Sequence, residues 1–218
     1  MNEKQTTISE FLQNGNMLEV IRLCREAIDE GMTAADILES LLTGMSIIGG
    51  KFKNDEVFVP EVLIAARAMN GGLDVIRPLL ISEGVKSIGK VAIGTVKGDL
   101  HDIGKNIVSM MMVGSGFEVI DLGVDVSPEK FITAVEEHHV DIVCMSALLT
   151  TTMTNMRAVI SALEEKGLRD QVKIMIGGAP ITDQYALEIG ADSYAADAAT
   201  AAEEAKKLVG EYILLNNG

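Results

Sequence analysis

Hydrophobic positions change rhythm once along this chain. Through residues 1–88 they recur only at helical spacing. "ISEFLQ" opens a short helix. "NMLEVIRLCREAIDEG" places Leu18, Ile21, Cys24 and Ile28 on a helical repeat and closes on Gly31. "TAADILESLLTGMSIIGGKF" starts on Thr33 with Asp36 three residues later, a capping box with Asp in place of Glu. "VPEVLIAARAMNGGLDVIRPLL" carries Pro60 in its first turn, where a missing N–H does no harm. Gly71 and Gly72 weaken its middle, and Pro78 is expected to kink or end it. Four helices with short connections predict a small bundle.

After "EGVKSIGK" (83–90), which reads as a linker, the rhythm changes. "VAIGTV", "FEVIDLG", "VDIVCMSA" and "VKIMIGG" are short, continuous, β-rich apolar runs. Between them lie "DIGKNIVSMMMVGSG", "SPEKFITAVEEH" and "TNMRAVISALEEKG", each amphipathic at helical spacing. A weaker fifth strand is expected near "ADSYAA" and a closing helix at "TAAEEAKKLVGEYIL". Strand alternating with helix predicts an α/β fold, a doubly wound parallel sheet of five strands in the flavodoxin or Rossmann manner. The expected domains are therefore a helical cap, 1–88, and an α/β domain, 89–218. Ligands of such sheets sit beyond the carboxyl ends of the strands, at a switch point. Asp99 and His101 follow the first strand, Ser146 ends the third, and Gly177 and Gly178 end the fourth.

Composition narrows the function classes. The 218 residues carry a formal net charge of −14. Eight basic residues face thirteen acidic ones in 1–88, and ten face nineteen in 89–218. Two acidic halves argue against a nucleic-acid partner, and so does an aromatic content of 4% with no Trp. No apolar run approaches the ~18 residues that cross a bilayer, and "MNEKQTTISE" lacks the order of a signal peptide. A cytoplasmic protein without a membrane partner is expected. Cys24 and Cys144 show no metal-ligand spacing and read as reduced, buried thiols. Met110, Met111 and Met112 read as core filling, and His138 with His139 as a solvated helix end.

The loop "KGDLHDIGKN" holds the unusual chemistry. Gly98 permits a tight turn. Asp99 lies two residues before His101, a spacing that can bring a carboxylate to one ring nitrogen while the other faces outward. That is the usual way to orient a metal-bound imidazole. The plainer alternative is a helix N-cap, with Asp99 or Asp102 capping and His101 a bystander. Three histidines in all make zinc a poor alternative, and the glycine spacing before Lys105 fits no phosphate-loop fingerprint.

Three separated pieces form a recognisable set. "DLHDIG" (Asp99, Leu100, His101, Asp102, Ile103, Gly104) matches the Asp-x-His-x-x-Gly motif of cobalamin-binding domains. "SALLT" (Ser146 to Thr150) matches their Ser-x-Leu element with its nearby Thr, and "GGAP" (Gly177 to Pro180) their later Gly-Gly. The helical half, above all "KFKNDEVFVPEVLIAARAM", resembles the cap that precedes this domain in cobalamin-dependent methionine synthases and in corrinoid methyl-carrier proteins. The resemblance covers nearly the whole chain.

The resemblance implies cobalamin bound with its own base detached and His101 in the axial position, as metal ligand. Asp99 would bond the far side of the ring and Ser146 would extend that network. The nucleotide tail would run in a groove of Gly104, Leu148, Thr150, Gly177 and Gly178, closed near Tyr194 and Ala196, with Gly98 and Ala179 as further cofactor-binding residues. Phe52, Val59 and Val62 match the apolar residues that shield the upper corrin face; ordinary bundle core is their plainer reading. The cofactor would pass between cob(I)alamin and methylcobalamin, His101 binding in the methylated form and releasing with proton uptake that Asp99 favours. No second catalytic set is present, so the chain would be a carrier and not itself the catalyst. Separate substrate-specific and acceptor-specific methyltransferases would load and unload it, and a reductive activase would serve it. The linker would be the hinge of the lid. Donors of this family are methylamine, methanol, betaine or aryl methyl ethers; acceptors are tetrahydrofolate or a thiol.

Other functions fit less well. The small subunit of an adenosylcobalamin-dependent mutase shares the Asp-x-His-x-x-Gly loop but usually lacks a helical cap. A cobalamin-sensing regulator needs a DNA-binding segment for which the acidic chain has no room. A flavodoxin-like signalling domain gives no account of the three motifs together.

Overall fold

The structure, a computed structural model, describes residues 2–216, with side chains to 210. Two compact units emerge: Met1–Ser87 with Gly114–Gly116, and Ile88–Val113 with Phe117–Gly218. The first contains four helices, α1 (Glu3–Gln13), α2 (Met17–Asp29), α3 (Ala34–Lys53) and α4 (Val59–Glu83). Each start has its local cause. Asn2 caps α1 in a capping box with Gln5. Asn16 caps α2 and Thr33 caps α3, the Thr33 hydroxyl accepting from the Asp36 N–H. Asp36 answers through its carboxylate, which takes the Thr33 hydroxyl at 2.7 Å. Ile8, Leu12, Val20, Leu23, Ile37, Leu41, Met45 and Ile76 are buried in this unit.

Pro78 does not end α4. The helix runs unbroken through Gly71, Gly72 and Pro78 to Glu83, and ends on Gly84 in the left-handed region. A methyl group on Gly71 would lie 2.9 Å from Met17, and one on Gly72 would lie 2.8 Å from Leu41. The pair lets α4 approach α2 and α3 closely, and this packing offsets the propensity cost. Beyond Pro78, Glu83 accepts from the Ala34 N–H at 3.1 Å, tying the last turn of α4 to the start of α3.

The second unit is a five-stranded sheet of order β2-β1-β3-β4-β5, every pair parallel. Its strands are β1 (Lys90–Val96), β2 (Glu118–Val126), β3 (Ile142–Ser146), β4 (Lys173–Gly177) and β5 (Ser193–Ala195). The helices are α5 (Ile103–Val113), α6 (Pro128–His138), α7 (Thr150–Glu165), α8 (Asp183–Ile189) and α9 (Ala198–Asn216). α5 packs with α9, while α6 packs with α7 and α7 with α8, so the sheet is covered on both faces as expected. Ala92, Val96, Val143, Ile174, Ile176, Phe131, Val159 and Leu163 belong to one buried cluster.

Strand order reverses between β1 and β3. Successive connections leave these neighbours in opposite directions, which opens a crevice beyond their carboxyl ends. β2 is longer than its apolar run, continuing past Gly123 to Val126 through two register shifts against β1. Met111 and Met112 are buried, and His138 and His139 close α6 exposed. Both cysteines are buried and free, and burial pushes the Cys24 thiol up to about 11 and the Cys144 thiol up to about 12. Neither is a thiolate near neutral pH. Among the described residues no helix is long and apolar enough to cross a membrane.

Candidate functional site

The loop between β1 and α5 lies at the reversal point. Gly98 takes φ +81°, the tight turn that its position called for. The loop then returns so that the buried Thr95 hydroxyl donates to the His101 carbonyl at 2.8 Å. Asp102 supplies the first helical carbonyl of α5, accepting from the Asn106 N–H at 2.8 Å. Asp102 stands at the start of α5 with its carboxylate taking the Asn106 side-chain amide at 3.2 Å, while the Asp99 carboxylate turns the other way.

Asp99 is fully buried. Its Oδ1 meets His101 Nδ1 at 2.7 Å and accepts the His101 backbone N–H at 3.1 Å. Its Oδ2 accepts the Thr152 hydroxyl at 2.6 Å and the Leu148 N–H at 2.8 Å. Four donors fill the four lone-pair directions of one carboxylate. Burial pushes the Asp99 pKa up, but the bonds from Thr152, Leu148 and His101 outweigh it, and the group sits well below the usual carboxylate range. Asp99 is thus ionised and can only accept. His101 Nδ1 must carry a proton, so in the neutral ring the Nε2 lone pair points away from Asp99. The His101 side chain is 52% exposed, leaving that nitrogen open to a ligand.

The other expected residues are distributed as follows. Leu100 precedes His101 in the loop and Ile103 begins α5, and both are 71% exposed. Leu148, 43% exposed, shares the site through its N–H. Gly104 opens into free space, since an added methyl group would meet nothing within 4 Å. Thr150 and Ala179 are exposed, Ala196 is exposed just after β5, and Tyr194 is half-buried against the sheet core. Gly177 and Gly178 also serve the fold itself. A methyl group on Gly178 would fall 1.9 Å from the Ala147 carbonyl oxygen, and Gly177 accepts the Ala147 N–H at 3.2 Å. Ser146 is half-buried at the end of β3, in register with Thr95 and Gly177. It is not among the four donors to Asp99.

In the helical unit, Phe52 and Val59 are half-buried and Val62 is fully buried. Phe58, at the N-cap of α4, is the more exposed aromatic at 66%. Lys105 is no phosphate ligand in waiting. Its side chain is buried, with Nζ 2.6 Å from Asp121 and 2.7 Å from Asn106.

Thr152 was not legible in the sequence as a site residue. It is the third of three consecutive threonines, and nothing in that run says which one turns inward. Its test is Thr152→Val, which removes the hydroxyl and leaves a buried charge short of a donor. We expect this variant to unfold about 1.5–3 kcal/mol more easily at pH 7, measured by chemical denaturation. Unchanged stability would mean that the 2.6 Å bond contributes nothing.

These residues fit cobalamin. An outward imidazole nitrogen with its tautomer fixed from behind is a donor for cobalt, and exposed leucine and isoleucine side chains beside it suit the flat apolar macrocycle.

Residues 89–206 match the B12 binding domain family, and residues 5–77 match a second family likewise described as a B12 binding domain. The chain is 42% identical over 196 residues to Corrinoid protein DSY3155 of Desulfitobacterium hafniense (strain Y51), covering 88% of this chain and 91% of that one. It is 45% identical over 187 residues to the trimethylamine corrinoid protein of Methanosarcina barkeri, covering 84% and 86%. Among solved structures it is similar to the methanol:cobalamin methyltransferase complex from Methanosarcina barkeri, with a TM-score of 0.87 at 28% identity over 96% of this chain and 80% of that one. A cobalamin-binding protein from Desulfitobacterium hafniense DCB-2 superposes with a TM-score of 0.77, again at 28% identity, over 94% and 98%. With family models over both its halves and relatives of this similarity along most of its length, the chain belongs to the B12-binding corrinoid proteins, and cobalamin is its cofactor.

Proposed function

We propose that this protein carries a methyl group between two methyltransferases, one specific for the donor and one for the acceptor. The observation that carries the reading is the exposed His101 ring, held at Nδ1 by an ionised, buried Asp99 at 2.7 Å. Cobalamin, when bound, supplies a cobalt centre able to accept a methyl group and give it up again. His101 Nε2 would hold the cobalt in place of the vitamin's own base. Asp99 fixes the ring's tautomer by accepting from Nδ1, which leaves Nε2 to face the cofactor. Thr152 and the Leu148 N–H keep Asp99 ionised. Gly104, Leu148, Thr150, Gly177 and Gly178 line the groove for the tail, with Tyr194 and Ala196 towards its end, and Gly98, Ser146 and Ala179 are further cofactor-binding residues. Phe52, Val59 and Val62 are the shielding residues of the helical half.

Relatives named for trimethylamine and dimethylamine support a methylamine donor, and the structural neighbour named for methanol supports an alcohol. The test uses the cobalamin-loaded protein with purified methyltransferases and isotopically labelled donors. Label should reach a tetrahydrofolate or thiol acceptor only when this protein is present. Label that stays on the donor with every methyltransferase, or support of an adenosylcobalamin-dependent rearrangement, would contradict the reading.

A further inference from the structure

The end of β2 behaves unlike the rest of the sheet. Against β1 it carries two extra residues, so the ladder shifts between Ile93 and Gly94 and again between Gly94 and Val96. Gly123 takes φ +86° and Asp125 takes φ +53°. A left-handed backbone is natural for glycine but costs a residue with a side chain, and aspartate is among the few that tolerate it. Such bulges are found where a strand must re-aim a side chain.

What Asp125 is aimed at is the histidine loop. Its Oδ1 accepts the Gly98 N–H at 2.7 Å, and its own N–H donates to the Asp99 carbonyl at 3.0 Å. One residue therefore holds the loop on both sides of the Gly98–Asp99 peptide. Asn155 of α7 holds the preceding carbonyl, donating to Lys97 O at 2.8 Å. Neither residue touches the His101 ring through any hydrogen bond among the described residues. Asp99 nevertheless cannot turn without disturbing the peptide that Asp125 clamps.

We propose that Asp125 is a positioning residue for the axial histidine. It locks the turn that carries Asp99, and through Asp99 it fixes the direction in which His101 Nε2 points. The strained backbone of the β2 bulge is retained because it brings this carboxylate over the loop. The inference rests on the reading that His101 ligates cobalt, and it adds a residue that acts on that ligand only indirectly.

The experiment compares the wild type with Asp125→Gly and Asp125→Asn. Glycine removes the acceptor but relaxes the backbone. Asparagine keeps an acceptor oxygen and tolerates the same φ. In the cofactor-free proteins, exchange of the Gly98 amide is measured by NMR. In the proteins loaded with cob(II)alamin, the fraction of cobalt coupled to a histidine nitrogen is measured by electron paramagnetic resonance. For Asp125→Gly we expect Gly98 exchange to rise by roughly tenfold or more. The histidine-coupled fraction should fall, while the thermal midpoint stays level or rises. Asp125→Asn should stay near the wild type in both readouts. A purely structural residue would lower the midpoint and leave the coupling alone.

The inference is overturned if Asp125→Gly couples histidine as fully as the wild type, or if Asp125→Asn falls as far as Asp125→Gly. A wild type with no histidine coupling would overturn the axial assignment, and this inference with it. Coupling in the wild type that survives in Asp125→Gly would sink this inference alone.

Discussion

Replacing His101 with alanine is expected to lower methyl transfer by at least about 100-fold, the upper end of what losing an orienting partner costs a metal site. The protein should still fold. The ring is half exposed, and the backbone bonds that hold the loop do not need it: the Thr95 hydroxyl on the His101 carbonyl and the His101 N–H on Asp99 both survive the change. Cofactor binding through the tail groove should persist in weakened form. The absorption spectrum of the loaded variant should differ from that of the wild type, reporting a changed axial position. Transfer and spectrum that both match the wild type would remove His101 from the site.

Asp99→Asn should be the second most damaging change, although it is nearly isosteric. The carboxylate accepts four bonds, and an amide offers one acceptor oxygen with two donors of its own. One face of the amide would therefore point N–H groups at N–H or O–H groups. The ring loses its fixed tautomer, and transfer or cofactor affinity should fall by about 10–100-fold. Stability should fall as well, by about 2 kcal/mol or more at pH 7, because buried donors are left unpaired.

The pH dependence has a definite sign. The net shift of Asp99 is downward, burial being outweighed by its donors. Its contribution to stability is therefore complete above the ordinary carboxylate value of about 4 and is lost as pH falls through the depressed value. The stability gap between wild type and Asp99→Asn should be full at neutral pH and narrow below about pH 4. Unfolding midpoints across an acid series check this. A gap that persists unchanged at low pH would mean that the ionised carboxylate is not what stabilises the loop.

Much of the site could be read in sequence because its chemistry is local. Asp99 and His101 are two residues apart, so the spacing itself limits where the carboxylate can go, and the 2.7 Å contact follows. The switch point was legible because apolar strand runs alternate with amphipathic helices, and that alternation dictates a parallel sheet with a crevice. Partners far along the chain were hidden. Thr152 lies 53 residues from Asp99 and among identical neighbours. Asp125 lies beyond the glycine that closes the apolar run of β2, and only pairing with β1 reveals that the strand resumes. Of the two effects expected of Pro78, an end to the helix did not follow, since α4 continues to Glu83, and the Gly71–Gly72 pair, weak by local propensity, sits where α4 packs closely on Met17, Ile21 and Leu41. Gly178 was legible as an unusual residue, but the structural reason, an Ala147 carbonyl that leaves no room for a side chain, is a long-range fact.

The account is tested most directly by the origin of the nitrogen on cobalt. The protein should be prepared with 15N-labelled histidine, loaded with unlabelled cob(II)alamin and examined by electron paramagnetic resonance. The account predicts that the triplet splitting of an ordinary nitrogen ligand becomes the doublet of 15N, and that the His101→Ala protein loses it. A triplet that persists in the labelled protein would mean that the vitamin's own base still holds the cobalt, and would contradict the account.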